Sequence, residues 1–471
     1  MRRGAAALLG VALMVILAIL GWRGLRYPPV QAVLLEAAPV GEWGHLPEEE
    51  RLGLLALLQE ALELDPRVTL LTEPPRESRA GLRRFLVSAR EEGGTLLLRF
   101  RAEDATPFET AGPPRKAIAD MFGELGFEHR RLGALLPEEP GVFWQLARIS
   151  GPFTYAQLQP RRDLALALAR ADSGSASAWF RAAYLHARLL IREAAEDPDA
   201  LTSCDHLFRR VLESIPDHPR ALYHYARYKT DVGDPEGSLA LAFRLLESHP
   251  RSLLPYGALA YAARCAGLLE GARRAIHARE RLAGGLGGDP GLGENTYLYL
   301  GDLDRFEKSL AAEPGTPFSP LRLFYRGYLE LLRGHPERAL GPFREAQSRP
   351  GRTIQFERLA RVYELALLEK REEALAELRE IVRERTQIRV PDGEFTFKLA
   401  EAFGFLGADS EALETGLRAS AQGFGCRAWY EGAPFLRSVQ AHPRWQALLR
   451  HLQEQEARLN ARFPPAGFGP G

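Results

Sequence analysis

Between residues 176 and 420 apolar positions recur in paired runs at helical spacing, 222–232 with 238–247, 256–266 with 272–282, and 323–333 with 339–347. Glycines in step with these pairs, Gly233, Gly267, Gly301 and Gly334, follow one another after 34, 34 and 33 residues. A fixed period of that length marks stacked helix–turn–helix units, each burying its apolar face against the next. Ahead of them the pattern shortens. Residues 30–35, 68–71, 84–90 and 95–100 are β-rich, and the last two flank Glu91-Glu92-Gly93-Gly94, which predicts a hairpin. Leu52, Leu54, Leu55, Leu57, Leu58 and Leu62 predict a helix over 48–63, and a second is expected over 115–125. Residues 28–150 thus read as a small α/β module.

The first residues differ again. Met1-Arg2-Arg3, a short tail over 1–3, precedes an uncharged run over 4–22, GAAALLGVALMVILAILGW. As a helix this run reaches roughly 28 Å, about the hydrocarbon thickness of a bilayer. A cleaved signal peptide has a shorter apolar region and needs small residues at alternate positions before the cut, where Ile19, Leu20 and Trp22 fit poorly. The expectation is an uncleaved single-pass anchor in the cell membrane. Arg2 and Arg3 nearly balance Arg23 and Arg26, and the short tail predicts that residues from 27 onward are periplasmic or extracytoplasmic.

Within the unit around Gly334, residues Leu323, Gly327, Gly334, Ala339, Phe343 and Ala346 match the large, small, glycine, alanine, aromatic and alanine positions of the tetratricopeptide family, which they closely resemble. Leu222, Ala226, Gly233, Ser238 and Pro250 form a preceding unit, and Tyr256, Leu259, Ala260, Gly267 and Ala272 the next. Trp179-Phe180-Arg181-Ala182-Ala183 opens an earlier unit, and Leu399, Ala400, Gly407, Ala412 and Ala419 belong to a later one. The resemblance implies a mostly α fold, a tetratricopeptide-repeat α-solenoid of six to seven helix pairs over 160–422. Three departures stand out: the loose glycine-rich stretch 284–293, Glu369 where a turn glycine belongs, and extra residues over 383–392. The element order of 28–150 resembles the small amino-terminal domain of TolB, as it precedes such arrays in bacterial membrane proteins. Residues 423–462 resemble closing, capping helices, and 463–471 are expected to be a disordered tail.

Composition narrows the function. Hydrophobic residues make up 46% and charged residues 26%, with 61 Lys+Arg against 61 Asp+Glu, so the chain has a core but no summed positive field for nucleic acid. Three scattered cysteines, Cys204, Cys265 and Cys426, make neither a disulfide framework nor a four-cysteine metal site. The stretch 284–293 lacks the Gly-Lys-Ser/Thr of a phosphate loop, and His206, His218 and His224 near Cys204 and Asp205 are divided by the turn after Pro216. With neither a nucleophile motif nor paired cysteines, the expectation is no catalytic residue, no metal, no cofactor and no enzyme activity.

A solenoid offers a concave surface instead. By resemblance, the first helix of each unit faces it, which selects Phe180, Tyr184, Arg188, Tyr223, Arg227, Tyr261, Arg264, Phe324, Tyr328, Phe397 and Glu401. Tyr and Arg are enriched at binding hot spots, and Arg grips carboxylates bidentately. Tyr223, Arg227, Tyr261, Arg264, Phe324 and Tyr328 form the expected peptide-binding set of a membrane-anchored scaffold with a protein or peptide partner. The alternative is a sensory component passing ligand binding to a separate cytoplasmic enzyme.

Overall fold

Strand β1 (Gln31–Ala37) pairs in parallel with β2 (Val68–Leu71) on one side and β3 (Leu82–Glu92) on the other, while β3, β4 (Thr95–Ala102) and β5 (Phe108–Gly112) run antiparallel, giving the order β2-β1-β3-β4-β5. Parallel neighbours need a crossover, and α1 (Glu48–Glu63) supplies it. A computed structural model describes residues 31–71, 82–93, 95–102, 107–191, 199–284, 294–310, 319–348 and 355–469. The span expected over 4–22 lies outside them, as does most of 284–293; among the described residues no helix is long and apolar enough to cross a membrane. Inward positions of the sheet, among them Val33, Leu35, Phe85, Val87, Leu98 and Phe100, meet Leu54, Leu57 and Leu58 of α1 and Ile118, Met121 and Phe122 of α2 (Pro114–Leu125). After the single turn α3 (Leu132–Leu135), α4 (Pro140–Ser150) crosses α1 so closely that a Cβ on Gly53 would stand 1.6 Å from the Ala147 carbonyl oxygen.

Helix α5 (Leu158–Ala171) leads into seven helix pairs among the described residues. These are α6 (Ala176–Leu190) with α7 (Ala200–Ser214), α8 (Pro219–Asp231) with α9 (Pro235–Ser248), α10 (Leu254–Cys265) with α11 (Leu269–Ala283), and the short α12 (Glu294–Tyr299) with α13 (Leu303–Leu310). Then follow α14 (Pro320–Leu332) with α15 (Pro336–Gln347), α16 (Phe356–Leu367) with α17 (Arg371–Arg385), and α18 (Gly393–Phe405) with α19 (Asp409–Ala421). Gly233, Gly267, Gly301, Gly334 and Gly407 all hold positive φ, 67–84°, where a glycine pays no steric penalty. In each of these turns the following N–H bonds back to the carbonyl five residues earlier, as in Asp234 to Lys229 and His335 to Glu330. Glu369, at φ 61°, keeps the same closure through Lys370 to Leu365, so the substituted turn is strained at φ yet unchanged in form.

Between the two helices of a unit the small residues set the approach. A Cβ on Gly327 would lie 2.6 Å from the Phe343 ring, and Ala260 is buried in α10. Gly327→Leu and Ala260→Leu are each expected to lower stability by about 1–3 kcal/mol through overpacking, read as a lower urea midpoint at unchanged slope. Unaltered melting of both would contradict the repeat register.

The array turns in on itself. Helix α18 is buried from Gly393 to Phe403, including Glu394, Lys398 and Glu401, because the inner sides of α10, α12 and α14 converge on it. The chain then crosses the inner ends of earlier units: Gly423 abuts the Thr230 carbonyl and Gly233, and the Gly425 N–H bonds the Cys265 carbonyl at 2.6 Å. Helix α20 (Arg427–Gly432), the short α21 (Arg437–Gln440) and α22 (Pro443–Arg462) close the array, α22 burying only Trp445, Leu452 and Leu459. The expected disordered tail is corrected over 463–469: residues 465–468 form a 3-10 turn whose Phe468 is fully buried, 5.0 Å from the Phe243 ring and against Gly271. An aromatic side chain with an apolar seat stays ordered even near a terminus.

The module and the array share one core. Buried apolar residues run without a break from Val33 through Phe180 to Tyr228 and Val390. At the seam, fully buried Glu60 of α1 accepts from Arg181 Nη2 (2.7 Å) and Ser177 Oγ (2.9 Å) of α6. His218 Nδ1 accepts from the Ala221 N–H, leaving the proton on Nε2 to be donated to Glu60 Oε1 at 3.2 Å. Burial pushes the Glu60 carboxyl up, but Arg181 above all, then His218 and Arg220, bring it down to about 2.

Candidate functional site

A cavity of about 470 Å³ lies where the module meets the inner side of the first units, lined by Glu63 and Leu70 from the module, Tyr184 and Arg188 from α6, Tyr223, His224, Arg227 and Asp231 from α8, Gly257 and Tyr261 from α10, Arg279 from α11, and Asp392. Helical spacing explains the α8 wall: Tyr223, Arg227 and Asp231 are four residues apart and face one way. Asp392 arrives by the extra residues after α17, where Val390 N–H bonds the Leu190 carbonyl at 2.9 Å and ties that insertion to the first unit.

The walls are aromatic and charged. Arg227 Nη1 donates to the Tyr223 hydroxyl at 3.0 Å and its guanidinium lies 4.7 Å from the Tyr261 ring centre. His224 packs against the rings of Tyr184 (4.6 Å) and Tyr223 (4.9 Å). Burial, then Arg227, Arg220, Arg188 and Arg181, hold its pKa well below the ordinary value, so it is neutral at pH 7. Tyr261 donates to Asp231 Oδ1 at 2.6 Å, and Asp392 Oδ1 accepts from the N–H groups of Glu394 (2.9 Å) and Phe395 (3.2 Å), starting α18. Burial and then the charge of Asp392 push the Asp231 carboxyl up to about 7 against Tyr261, Arg227 and Arg188, and burial raises Asp392 as well. Arg188, Arg227 and Arg279 make no ion pair with any carboxylate among the described residues. Such a surface can grip anions with guanidinium groups and cover apolar parts with phenol rings.

The six residues expected to bind peptide separate here. Tyr223, Arg227 and Tyr261 line the cavity. Arg264 is corrected: it is 2% exposed and donates to Glu394 Oε2 at 2.9 Å, so its grip is spent inside the chain. Phe324 and Tyr328 are corrected too. Both are fully buried, Phe324 among the rings of Tyr325, Phe343 and Phe356, and Tyr328 donating to Glu401 Oε1 at 2.7 Å. The inner side they occupy is filled by α18. Arg279 and Asp392 were not expected; one lies on a second helix, the other in an insertion, and the repeat period marks neither.

No family model matches this sequence, and no curated protein matches it either. Twenty solved chains are similar in structure, among them a chain in the crystal structure of the APC/C hetero-tetramer Cut9-Hcn1, with a TM-score of 0.43 and 10% identity, over 74% of this chain and 65% of that one.

Proposed function

We propose that this chain is a non-enzymatic scaffold, attached to the cell membrane by residues 4–22 with its bulk outside the cytoplasm, that binds a protein or extended peptide through the cavity at Tyr223, Arg227 and Tyr261. The observation that carries this reading is the set of three arginines, Arg188, Arg227 and Arg279, converging on one cavity without a carboxylate partner among the described residues. Guanidinium groups that make no ion pair, beside tyrosine rings, are the composition of a binding hot spot. Attachment rests on the uncharged run 4–22, and its test is amino-terminal sequencing of the membrane-bound chain, which begins at Met1 if the anchor is uncleaved. A sensory role is favoured by one observation, that the cavity is walled by both the module and the array, so a ligand there touches both. Exchanging 4–22 for an unrelated apolar helix spares a scaffold and silences a sensor.

The double variant Arg188→Ala with Arg227→Ala is expected to weaken capture of peptides selected on the native chain from a displayed random library by at least about tenfold, with unchanged far-ultraviolet circular dichroism. Equal capture would move the binding surface elsewhere on the repeats.

A further inference from the structure

The cavity presents both signs of charge without a direct ion pair between them. No ion pair joins Arg188, Arg227 or Arg279 to Asp231 or Asp392, although all five line the same space. Each aspartate has one oxygen engaged, Asp231 by the Tyr261 hydroxyl and Asp392 by the start of α18, which leaves a second oxygen for a ligand. A protein segment passing through would bring neutral peptide bonds to these groups. At about 470 Å³ the space falls within the range of small-molecule pockets, roughly 300–1,000 Å³.

On the reading of this cavity as a peptide site, we propose that its ligand is a short peptide with both ends free, its carboxylate on Arg188, Arg227 and Arg279 and its ammonium between Asp231 and Asp392. Guanidinium forks match a carboxylate, and two carboxyls with one free oxygen each match an ammonium with three donors. Tyr184, Tyr223 and Tyr261 cover the middle of the peptide, whose side chains the charged ends leave undetermined. The rise of the Asp231 carboxyl to about 7, from burial first and then the charge of Asp392, fits a place for a cation, since an ammonium there offsets both.

The test is a thermal-shift and calorimetric titration of the full chain in detergent with three mixed tripeptide pools, one with free ends, one amino-terminally acetylated and one carboxyl-terminally amidated. Free tripeptides should raise the melting temperature, and either block should weaken binding by about tenfold or more. Asp231→Asn with Asp392→Asn, whose amide oxygens can still accept all three internal hydrogen bonds, should reduce the free pool to the affinity of the acetylated pool. Equal binding of free and blocked pools overturns the two-ended grip while the peptide site stands. Failure of every pool, with library-selected peptides still captured, overturns it too and assigns the cavity to longer partners. Failure of both probes removes the peptide site as well.

Discussion

Glu60→Gln lowers the stability of the folded chain by about 3–5 kcal/mol in urea unfolding at pH 7, because it leaves the buried Arg181 cation without its counter-charge. The substitution keeps the shape but replaces one accepting oxygen with an NH2 that cannot accept, so the loss reports the missing charge and acceptor rather than packing. The pH dependence follows from the direction of the Glu60 shift, from 4.5 down to about 2. A carboxyl with a depressed folded pKa contributes stability that is fully present above its unfolded value and disappears as pH falls through its folded value. The gap between the native chain and Glu60→Gln is thus constant above about pH 5 and shrinks by roughly 3 kcal/mol as pH falls toward 2. The double variant Glu60→Met with Arg181→Met should recover much of the loss, since an apolar pair of similar volume replaces a buried ion pair at little cost. A drop under about 1 kcal/mol for Glu60→Gln would mean that water reaches the seam.

Lys398→Met is the second large loss, also about 3–5 kcal/mol, and it originates at the opposite end of the array. Lys398 Nζ stands 2.8 Å from Glu401 Oε2, both fully buried, and the ammonium is caged by the rings of Tyr328 (4.5 Å), Trp429 (5.0 Å) and Tyr299 (5.4 Å). Methionine fills the cage but strands the Glu401 carboxylate, whose remaining partners are the Tyr328 hydroxyl and the Trp429 indole N–H. Adding Glu401→Gln should restore more than half of the loss, because a neutral amide still accepts from both donors. If the single and double variants unfold at the same urea concentration, the ion pair contributes nothing and the cage acts by packing alone.

These two pairs mark where sequence reasoning reached its limit. The turn glycines gave away the units because positive φ is a local demand, legible one residue at a time. Most of the module was legible too, apart from β5, whose five residues FETAG are short, mostly exposed and paired with β4, and apart from α3 and α4, which follow the expected helix over 115–125. Helix α18 misleads by its own pattern. Glu394, Lys398 and Glu401 recur at helical spacing, and Glu401 is expected to face an open concave surface, yet they point at Arg264, Tyr328 and Trp429. Whether a polar stripe meets water or another polar stripe depends on the winding of the whole array, which no window of one helix contains. The same applies to the cavity. Tyr223, Arg227 and Tyr261 followed from the period, whereas Asp392 required the insertion to return to Leu190.

The return of residues 423–426 to the units around Thr230 and Cys265, with Phe468 seated against Phe243 and Gly271, bears on how the protein is made. In an open array each unit can settle on its predecessor as the ribosome extrudes it. Here the second and third units lack their inner cover until residues 423–426 and Phe468 have been made, so their apolar inner sides stay exposed while the intervening units are synthesised. Contacts of such long sequence separation close slowly. A nascent chain stalled before residue 423 should therefore remain protease-sensitive around 219–283 and dependent on chaperones, although every helix of those units has already emerged.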